Sequence, residues 1–154
     1  MYKDVPDALH VAITAPCSVM RARELLTTAE GLTQWLATDA TFSTVVGSEF
    51  NLTLEDGYPV HGSLQGFDSG YGMAYTFTHE AVRKAFGSTL VRWSWEGVSP
   101  DYTLLTLIQT GHGQGDAWQK AYEFHLERWT FYLHNLYSVV SRGEDLRPLA
   151  PAGV

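Results

Sequence analysis

The longest periodic segment of the chain runs from Asp116 to Arg142, where large apolar and aromatic residues recur at helical spacing. This pattern predicts one long amphipathic helix of about 40 Å, at a rise of 1.5 Å per residue. A helix of this length requires a broad apolar surface to pack on, which a curved sheet provides. The residues predicted to face that sheet are Trp118, Ala121, Tyr122, His125, Trp129, Tyr132, Leu133, Leu136, Val139 and Val140.

The chain begins with a different pattern, in which apolar and polar residues alternate. Leu9, Val11 and Ile13 alternate with polar or small residues, and this predicts a first strand with one buried face. Ser18 and Thr28 are then suitable N-caps for two short helices.

From Ala40 to Thr110 the pattern keeps a period of two and is broken by short turn sequences, among them Glu55-Asp56-Gly57 and Ser99-Pro100-Asp101. About six or seven strands joined by short turns form an antiparallel meander. The sequence therefore predicts an α+β fold, with an antiparallel sheet wrapped around the long C-terminal helix and two short helices after the first strand.

Composition supports one domain with a substantial core. The chain has 154 residues, of which 45% are hydrophobic and 18% charged. We expect a single domain over residues 1–143 and, because of Pro148 and Pro151, a flexible tail over residues 144–154. Aromatic residues make up 13% of the chain, more bulk than a minimal core requires, and this leaves room for an aromatic-walled cavity.

Charge and cysteine content argue against several classes of partner. The formal net charge is -7 and the chain has no basic cluster, so neither nucleic acid nor an anionic membrane is an expected partner. The single cysteine and the scattered histidines give no pattern for a metal site, and we expect no metal and no cofactor. Without a membrane-spanning run or a signal peptide, a cytoplasmic protein is expected.

Several local phrases add a family resemblance that covers about Leu9 to Gly143. They are Ala15-Pro16, Glu30-Gly31-Leu32-Thr33-Gln34-Trp35, Thr103-Leu104-Leu105-Thr106-Leu107, and Trp129 followed by Leu133 and Leu136. With the order of predicted elements, they resemble the helix-grip fold of the START-like superfamily, also called SRPBCC. Within it, they resemble the bacterial family named after the activator of the heat-shock protein 90 ATPase.

The resemblance implies a cavity between the sheet and the long helix. Apolar walls with a few polar groups are typical of a small-molecule site, so we expect a small apolar or aromatic ligand there. The residues expected to line this pocket are Trp35, Phe50, Tyr75, Phe77, Trp93, Trp95, Gln109, Tyr122, His125 and Trp129. For any single aromatic residue, simple core packing is the more common role.

His125 is the most informative pocket residue because it interrupts an apolar stripe. It is either a hydrogen-bonded core histidine or a group that orients a ligand, with Gln109 offering a second hydrogen bond from the sheet. The resemblance leaves two rival functions open. One is an interaction module for a chaperone or regulatory partner, with a packed interior and no ligand. The other is a cyclase-like enzyme that uses His125 as acid or base, although no carboxylate lies on the buried stripe and no catalytic residue is assigned.

A second surface is predicted on the opposite face of the long helix. Phe124 and Phe131 lie there, seven residues apart, beside Arg128. Stacked aromatic rings on a charged face are typical of a contact surface, so we predict a homodimer or protein-partner interface.

Overall fold

The protein is described by a computed structural model covering residues 4–85 and 88–149. The order of strands and helices is close to the predicted one. The main elements are β1 (Ala8–Ala15), α1 (Val19–Thr27), α2 (Ala29–Trp35), β2 (Asp39–Thr41), β3 (Glu49–Thr53), β4 (Pro59–Asp68), β5 (Gly72–His79), β6 (Thr89–Ser99), β7 (Tyr102–Thr110) and α3 (Asp116–Arg142). Two short 3-10 helices, Glu80–Ala85 and Arg147–Leu149, follow β5 and α3.

The seven described strands form one antiparallel sheet in the order β1-β7-β6-β5-β4-β3-β2. Strands β2 to β7 are therefore a meander, and β1 joins the open edge of β7, with Ala8 opposite Thr110 and Ala15 opposite Thr103. The register shifts between Leu64 and Gly66 on β4, an irregularity of the kind that bends a strand. The predicted helix-grip architecture is confirmed.

The helix ends follow the predicted chemistry. The Ser18 hydroxyl accepts a hydrogen bond from the Arg21 backbone N–H at 3.2 Å, and the Thr28 hydroxyl accepts from Gly31 at 2.9 Å. At the other end of the chain, Gly143 closes α3 in the left-handed conformation, with φ of 67°. These caps fix the starts of α1 and α2 and the end of α3, whereas Gly115 provides no side-chain cap at the start of α3.

The core lies between the concave face of the sheet and α3. Leu105 and Leu107 of β7 and Leu133 and Leu136 of α3 are completely buried there. Within the described residues, no helix is long and apolar enough to cross a membrane.

The segment after α3, which is the first part of the predicted tail, makes hydrogen bonds with the rest of the domain. The Asn135 side chain donates to Trp35 O at 2.9 Å and accepts from the Leu146 backbone N–H at 2.6 Å. Arg147 donates to the carbonyls of Ala37 at 2.7 Å and Thr33 at 2.9 Å. These contacts lie beyond the predicted domain boundary at residue 143, and the flexibility of the tail stays a prediction. Residues 150–154 of the predicted tail lie outside the described part of the chain.

Candidate functional site

Aromatic rings fill most of the space between the sheet and α3. Trp93 packs edge-on against Trp35 and Trp129, with ring centroids 6.2 and 5.8 Å apart. Phe50 and Tyr75 are 4.8 Å apart in a similar geometry. Trp95 is buried in the same core. The expectation of a hollow large enough for an aromatic ligand is therefore not met in this structure, because the rings pack against one another.

A small cavity remains near the first half of α3, with a volume of about 10 Å³. This is space for about one water molecule. Its walls come from α2, the β3–β4 hairpin, β5 and α3. They consist of Leu36, Leu52, Leu54, Val60, Phe77, His79, Phe124, His125, Arg128, Trp129 and Tyr132.

Three of the predicted pocket residues line this cavity, namely Phe77, His125 and Trp129. The other predicted residues do not line it. Tyr122 is only half buried and packs against His112, with ring centroids 5.2 Å apart. The rest lie in the neighbouring core: Trp35, Phe50, Tyr75, Trp93, Trp95 and Gln109.

A chain of hydrogen bonds holds one edge of the His125 ring. Trp129 Nε1, which can only donate, bonds Gln109 Oε1 at 3.0 Å, so the other end of this amide must be the NH₂ donor. Gln109 Nε2 donates to Thr89 Oγ1 at 2.7 Å and lies 3.3 Å from His125 Nδ1. His112 Nε2 lies 2.9 Å from the same Nδ1, and either of these two ring nitrogens can be the donor. The Nδ1 edge of His125 is therefore held by Gln109 and His112.

This network changes the predicted role of Gln109. Both ends of its amide are already bonded inside the core, so it cannot provide the second ligand contact that the sequence suggested. Gln109 instead orients His125. Neither Gln109 nor His112 lines the cavity, whereas His125 does.

His125 is kept neutral by its surroundings. Burial lowers its pKa well below 6.5, and the neighbouring His112 and His79 add to the effect. Among the described residues, no acceptor bonds its Nε2. The cavity wall thus contains a neutral histidine whose Nε2 has no partner among the described residues.

The turn between β3 and β4 closes the outer side of the cavity. Tyr132 Oη, on α3, donates to the Glu55 carboxylate, with distances of 2.6 and 2.5 Å to its two oxygens. Asp56 Oδ2 lies 3.3 Å from His79 Nε2, although the two groups are not aligned for a hydrogen bond. The turn is therefore held to α3 and to the end of β5 by two polar contacts.

The Nδ1 nitrogen of His79 is not available for proton transfer. Its Nδ1 accepts a hydrogen bond from the Ala81 backbone N–H at 3.1 Å, so its proton is on Nε2, beside Asp56. Burial lowers the pKa of His79, and the Asp56 carboxylate partly opposes this shift. The contact between Asp56 and His79 is consequently structural, and it joins the β3–β4 turn to the end of β5.

The structure also corrects the placement of Phe124 and Arg128. Both were predicted on the outer face of the helix, but they are 8% and 4% exposed. Here α3 is covered on a second side, because the 3-10 helix Glu80–Ala85 packs on it and His79 meets the Phe124 ring at 4.8 Å. Arg128 lies over the same ring and 3.8 Å from Glu55. Phe131 remains half buried, and the interface itself stays a prediction.

Some of the cavity residues could have been found from the sequence. His79 continues the alternation of Tyr75 and Phe77, which places it on the same inward face of β5. Arg128 and Tyr132 follow His125 at the helical spacing of three and seven residues. The acidic turn residues had no such signal, because their position depends on how the hairpin folds over α3.

The family described as "Activator of Hsp90 ATPase homolog 1-like protein" matches residues 17–141. The chain belongs to this family. A search of curated proteins found no match.

Solved structures share the fold at low sequence identity. DynU16, from the dynemicin biosynthetic locus, has a TM-score of 0.76 at 15% identity over 92% of this chain and 49% of that chain. This chain therefore spans about half the length of DynU16. A Mesorhizobium loti protein has a TM-score of 0.74 at 19% identity, with 89% and 98% of the two chains covered. The Aha1 dimer of Colwellia psychrerythraea gives 0.73 at 17% identity, with coverage of 89% and 98%.

In this family member, the ionisable groups around the cavity contact one another. The Arg128 guanidinium, which has no acceptor atom, lies 3.8 Å from Glu55. Burial raises the pKa of Tyr132, and its bond to Glu55 adds to the effect, so the phenol stays protonated.

Proposed function

We propose that this protein binds a small apolar or aromatic molecule between the sheet and α3, in an enlarged form of the cavity beneath the β3–β4 turn. The observation that supports this is a wall of Leu36, Leu52, Leu54, Val60 and Phe77 that also contains buried ionisable side chains. Buried polar and charged groups are costly when their only role is packing, and they cluster at binding and catalytic sites. Apolar walls with a few convergent polar groups are the usual composition of a ligand pocket.

Binding requires the turn to move, because the closed cavity has space for only about one water molecule. The turn is held by the Tyr132–Glu55 and His79–Asp56 contacts. The Glu55 side chain is 19% exposed, so water can reach it as the turn lifts. The turn is thus the proposed entrance. When it opens, the polar contacts of Glu55 and Asp56 are replaced by contacts with water.

The test is a ligand screen with a blocked-cavity variant. Small aromatic and aliphatic compounds that bind the folded state raise the melting temperature of the wild type. Val60→Phe fills the cavity and should abolish these shifts while circular dichroism shows a folded protein. Ile108→Phe, in a separate concavity on the sheet, is the matched control and should leave the shifts unchanged. Equal shifts in all three proteins would place the binding elsewhere.

A second candidate function concerns the outer face of α3. Leu126 and Phe131 lie in a shallow groove with Glu123, Glu127 and His134 around them. One structure that shares the fold is described as an Aha1 dimer. These observations support contact with a second copy of the chain or with a protein partner. Sedimentation velocity across a wide concentration range tests the homodimer: association should be lost in Leu126→Lys, and a concentration-independent monomer would exclude it.

A further inference from the structure

The first strand, β1, forms one edge of the sheet and pairs only with β7 among the described strands. Beyond that ladder, the described residues form one further hydrogen bond to the backbone of β1, from the Cys17 N–H to Ala15 O at 2.9 Å. An edge strand presents a row of backbone donors and acceptors along its free side. The second edge of β1 therefore has backbone groups that no described residue bonds.

This edge lacks the features that usually prevent a sheet from pairing further. Natural edge strands are short, are interrupted by bulges, or contain proline or charged residues. The opposite edge of the sheet follows this rule, because β2 has only three residues and begins with Asp39. By contrast, β1 has eight residues, contains no proline and no Asp, Glu, Lys or Arg, and pairs with β7 without a register shift. The second edge of β1 is thus open to another strand.

Apolar side chains of β1 are also incompletely covered at this edge. Leu9 and Ala15 are completely buried on the inner face of the sheet. Val11 and Ile13 lie between them on the same face but are only half buried. On the outer face, the exposed residues are His10, Ala12 and Thr14. A strand added at this edge would bury more of the valine and isoleucine side chains, which favours its binding.

We propose that β1 pairs with β1 of a second copy of the chain, antiparallel and around a two-fold axis at Ala12, so that the two sheets continue as one. A second copy fits this edge because it supplies a strand of the same length. It fits also because β1 has no Asp, Glu, Lys or Arg that would face a like charge on its own copy. The paired edge is a different surface from the ligand cavity and from the outer face of α3, so its assignment is independent of the proposed function.

The alternation of side chains limits the register of this pairing. Residues directly opposite each other in a ladder point to the same face of the sheet, so inward residues must meet inward residues. With the axis at Ala12, Val11 of each copy lies opposite Ile13 of the other. Pairs of large apolar side chains are favourable neighbours across two strands. The half-buried side chains of the two copies would therefore cover each other.

The neighbouring registers that keep the same faces together are less favourable. An axis at Val11 brings the charged Asp7 into the ladder, opposite the buried Ala15. An axis at Ile13 shortens the ladder and brings in Pro16, which cannot donate a hydrogen bond to it. The axis at Ala12 avoids both residues.

Charges placed on the axis test the pairing. Ala12 is exposed in the single chain, so Ala12→Glu and Ala12→Lys should both fold, which circular dichroism checks. In the paired dimer, each variant places two like charges directly opposite each other. At low ionic strength, the dissociation constant from sedimentation equilibrium should therefore rise by about tenfold or more. An equimolar mixture of the two variants should associate again, because a carboxylate then faces an ammonium group.

Ser94→Glu is the matched control. Ser94 lies on the outer face of β6 in the same row as Ala12, since both are in register with Thr106 of β7. It adds the same charge to the same face of the sheet, but two strands away from the edge. Its dissociation constant should equal that of the wild type.

The wild type gives a second readout that requires no variant. Hydrogen–deuterium exchange of the β1 amides that face the second edge should slow as the protein concentration rises, because pairing protects them. Amides of β2, at the opposite edge, should exchange at a rate that does not depend on concentration.

Several outcomes would overturn this inference. One is a wild type that sediments as a monomer at all concentrations, and another is exchange in β1 that does not depend on concentration. Association that is lost in Leu126→Lys but retained in Ala12→Glu would assign the contact between copies to α3 instead. If the two Ala12 variants failed to associate with each other, the register around Ala12 would be wrong. None of these results decides whether the cavity binds a ligand, which the compound screen tests separately.

Discussion

At the residue scale, Gln109 is the central polar residue of the core. It is completely buried, yet it accepts from Trp129 and donates toward Thr89 and His125, so that β6, β7 and α3 are joined by one side chain. A buried group of this kind stabilises the fold only when each partner is satisfied, because an orphaned donor keeps the full cost of leaving water. The network therefore determines both stability and the orientation of His125.

Gln109→Leu tests this network. The change leaves the Trp129 indole N–H without an acceptor and should reduce the free energy of unfolding by about 1–3 kcal/mol per orphaned donor. In a Trp129→Phe background there is no indole N–H to orphan, so the same change should cost less. Urea denaturation of the four proteins measures the coupling, and additive effects would contradict the network.

At the scale of elements, the sequence predicted helices and strands well where local chemistry decides them. The alternation of apolar and polar residues predicted β5 and β6. The N-caps Ser18 and Thr28 predicted where α1 and α2 begin, and Gly143 predicted where α3 ends. The family phrases added the expectation that the sheet wraps around the long helix. Burial of Phe124 was not predictable in this way, because a helical wheel assumes one covered face. The first half of α3 is covered from two sides by segments that are distant in sequence.

The segment after α3 is a further case in which tertiary contacts decide the outcome. Its composition suggested flexibility, but Arg147 binds two carbonyl groups near α2 and pairs with Asp145 at 2.9 Å. Bonds between a cation and buried carbonyls are formed only in the folded chain, so no local pattern reveals them. This segment therefore fastens α2 to the end of α3.

Arg147→Ala should consequently destabilise the domain by about 1–3 kcal/mol, since it removes charge-assisted bonds to the carbonyls of Ala37 and Thr33. Arg92, exposed on β6, is the matched control, and Arg92→Ala should change stability by less than about 0.5 kcal/mol. Chemical denaturation compares the two variants. If Arg147→Ala were as stable as Arg92→Ala, the segment after α3 would contribute nothing to the stability of the fold.

At the scale of the whole molecule, the first half of α3 is surrounded by ionisable groups, whereas its second half is packed with leucine side chains. The sequence predicted that the sheet would grip the helix and which aromatic residues would lie between them. It did not predict that the rings would close the interior, because close packing depends on side-chain orientations in three dimensions. The buried polar residues indicate the position of the remaining cavity better than the aromatic residues do.

Three neutral histidines lie close together in the fold, and this predicts that the stability of the protein decreases in acid. Burial lowers the pKa of His112 to about 4, and it lowers the pKa values of His79 and His125 as well. In the unfolded chain these groups take up protons below pH 6.5, whereas in the folded protein they do so only at lower pH. The unfolded state then binds more protons, so stability is full above about pH 6.5 and falls as pH decreases toward about 4.

Urea denaturation at intervals from pH 7.5 to 4.5 measures this loss, which for one fully linked histidine is at most about 1.4 kcal/mol per pH unit. The carboxylate of Asp145 does not account for a loss in this range, because its hydrogen bond to Arg147 holds its pKa below 3.8 and so confines its effect to more acidic conditions. His125→Phe should flatten the profile and His134→Phe should not, since His134 is exposed. A wild-type stability that stays constant down to pH 4.5 would show that these histidines are protonated as easily in the folded protein as in the unfolded chain, and the neutral state inferred for His125 would then be wrong.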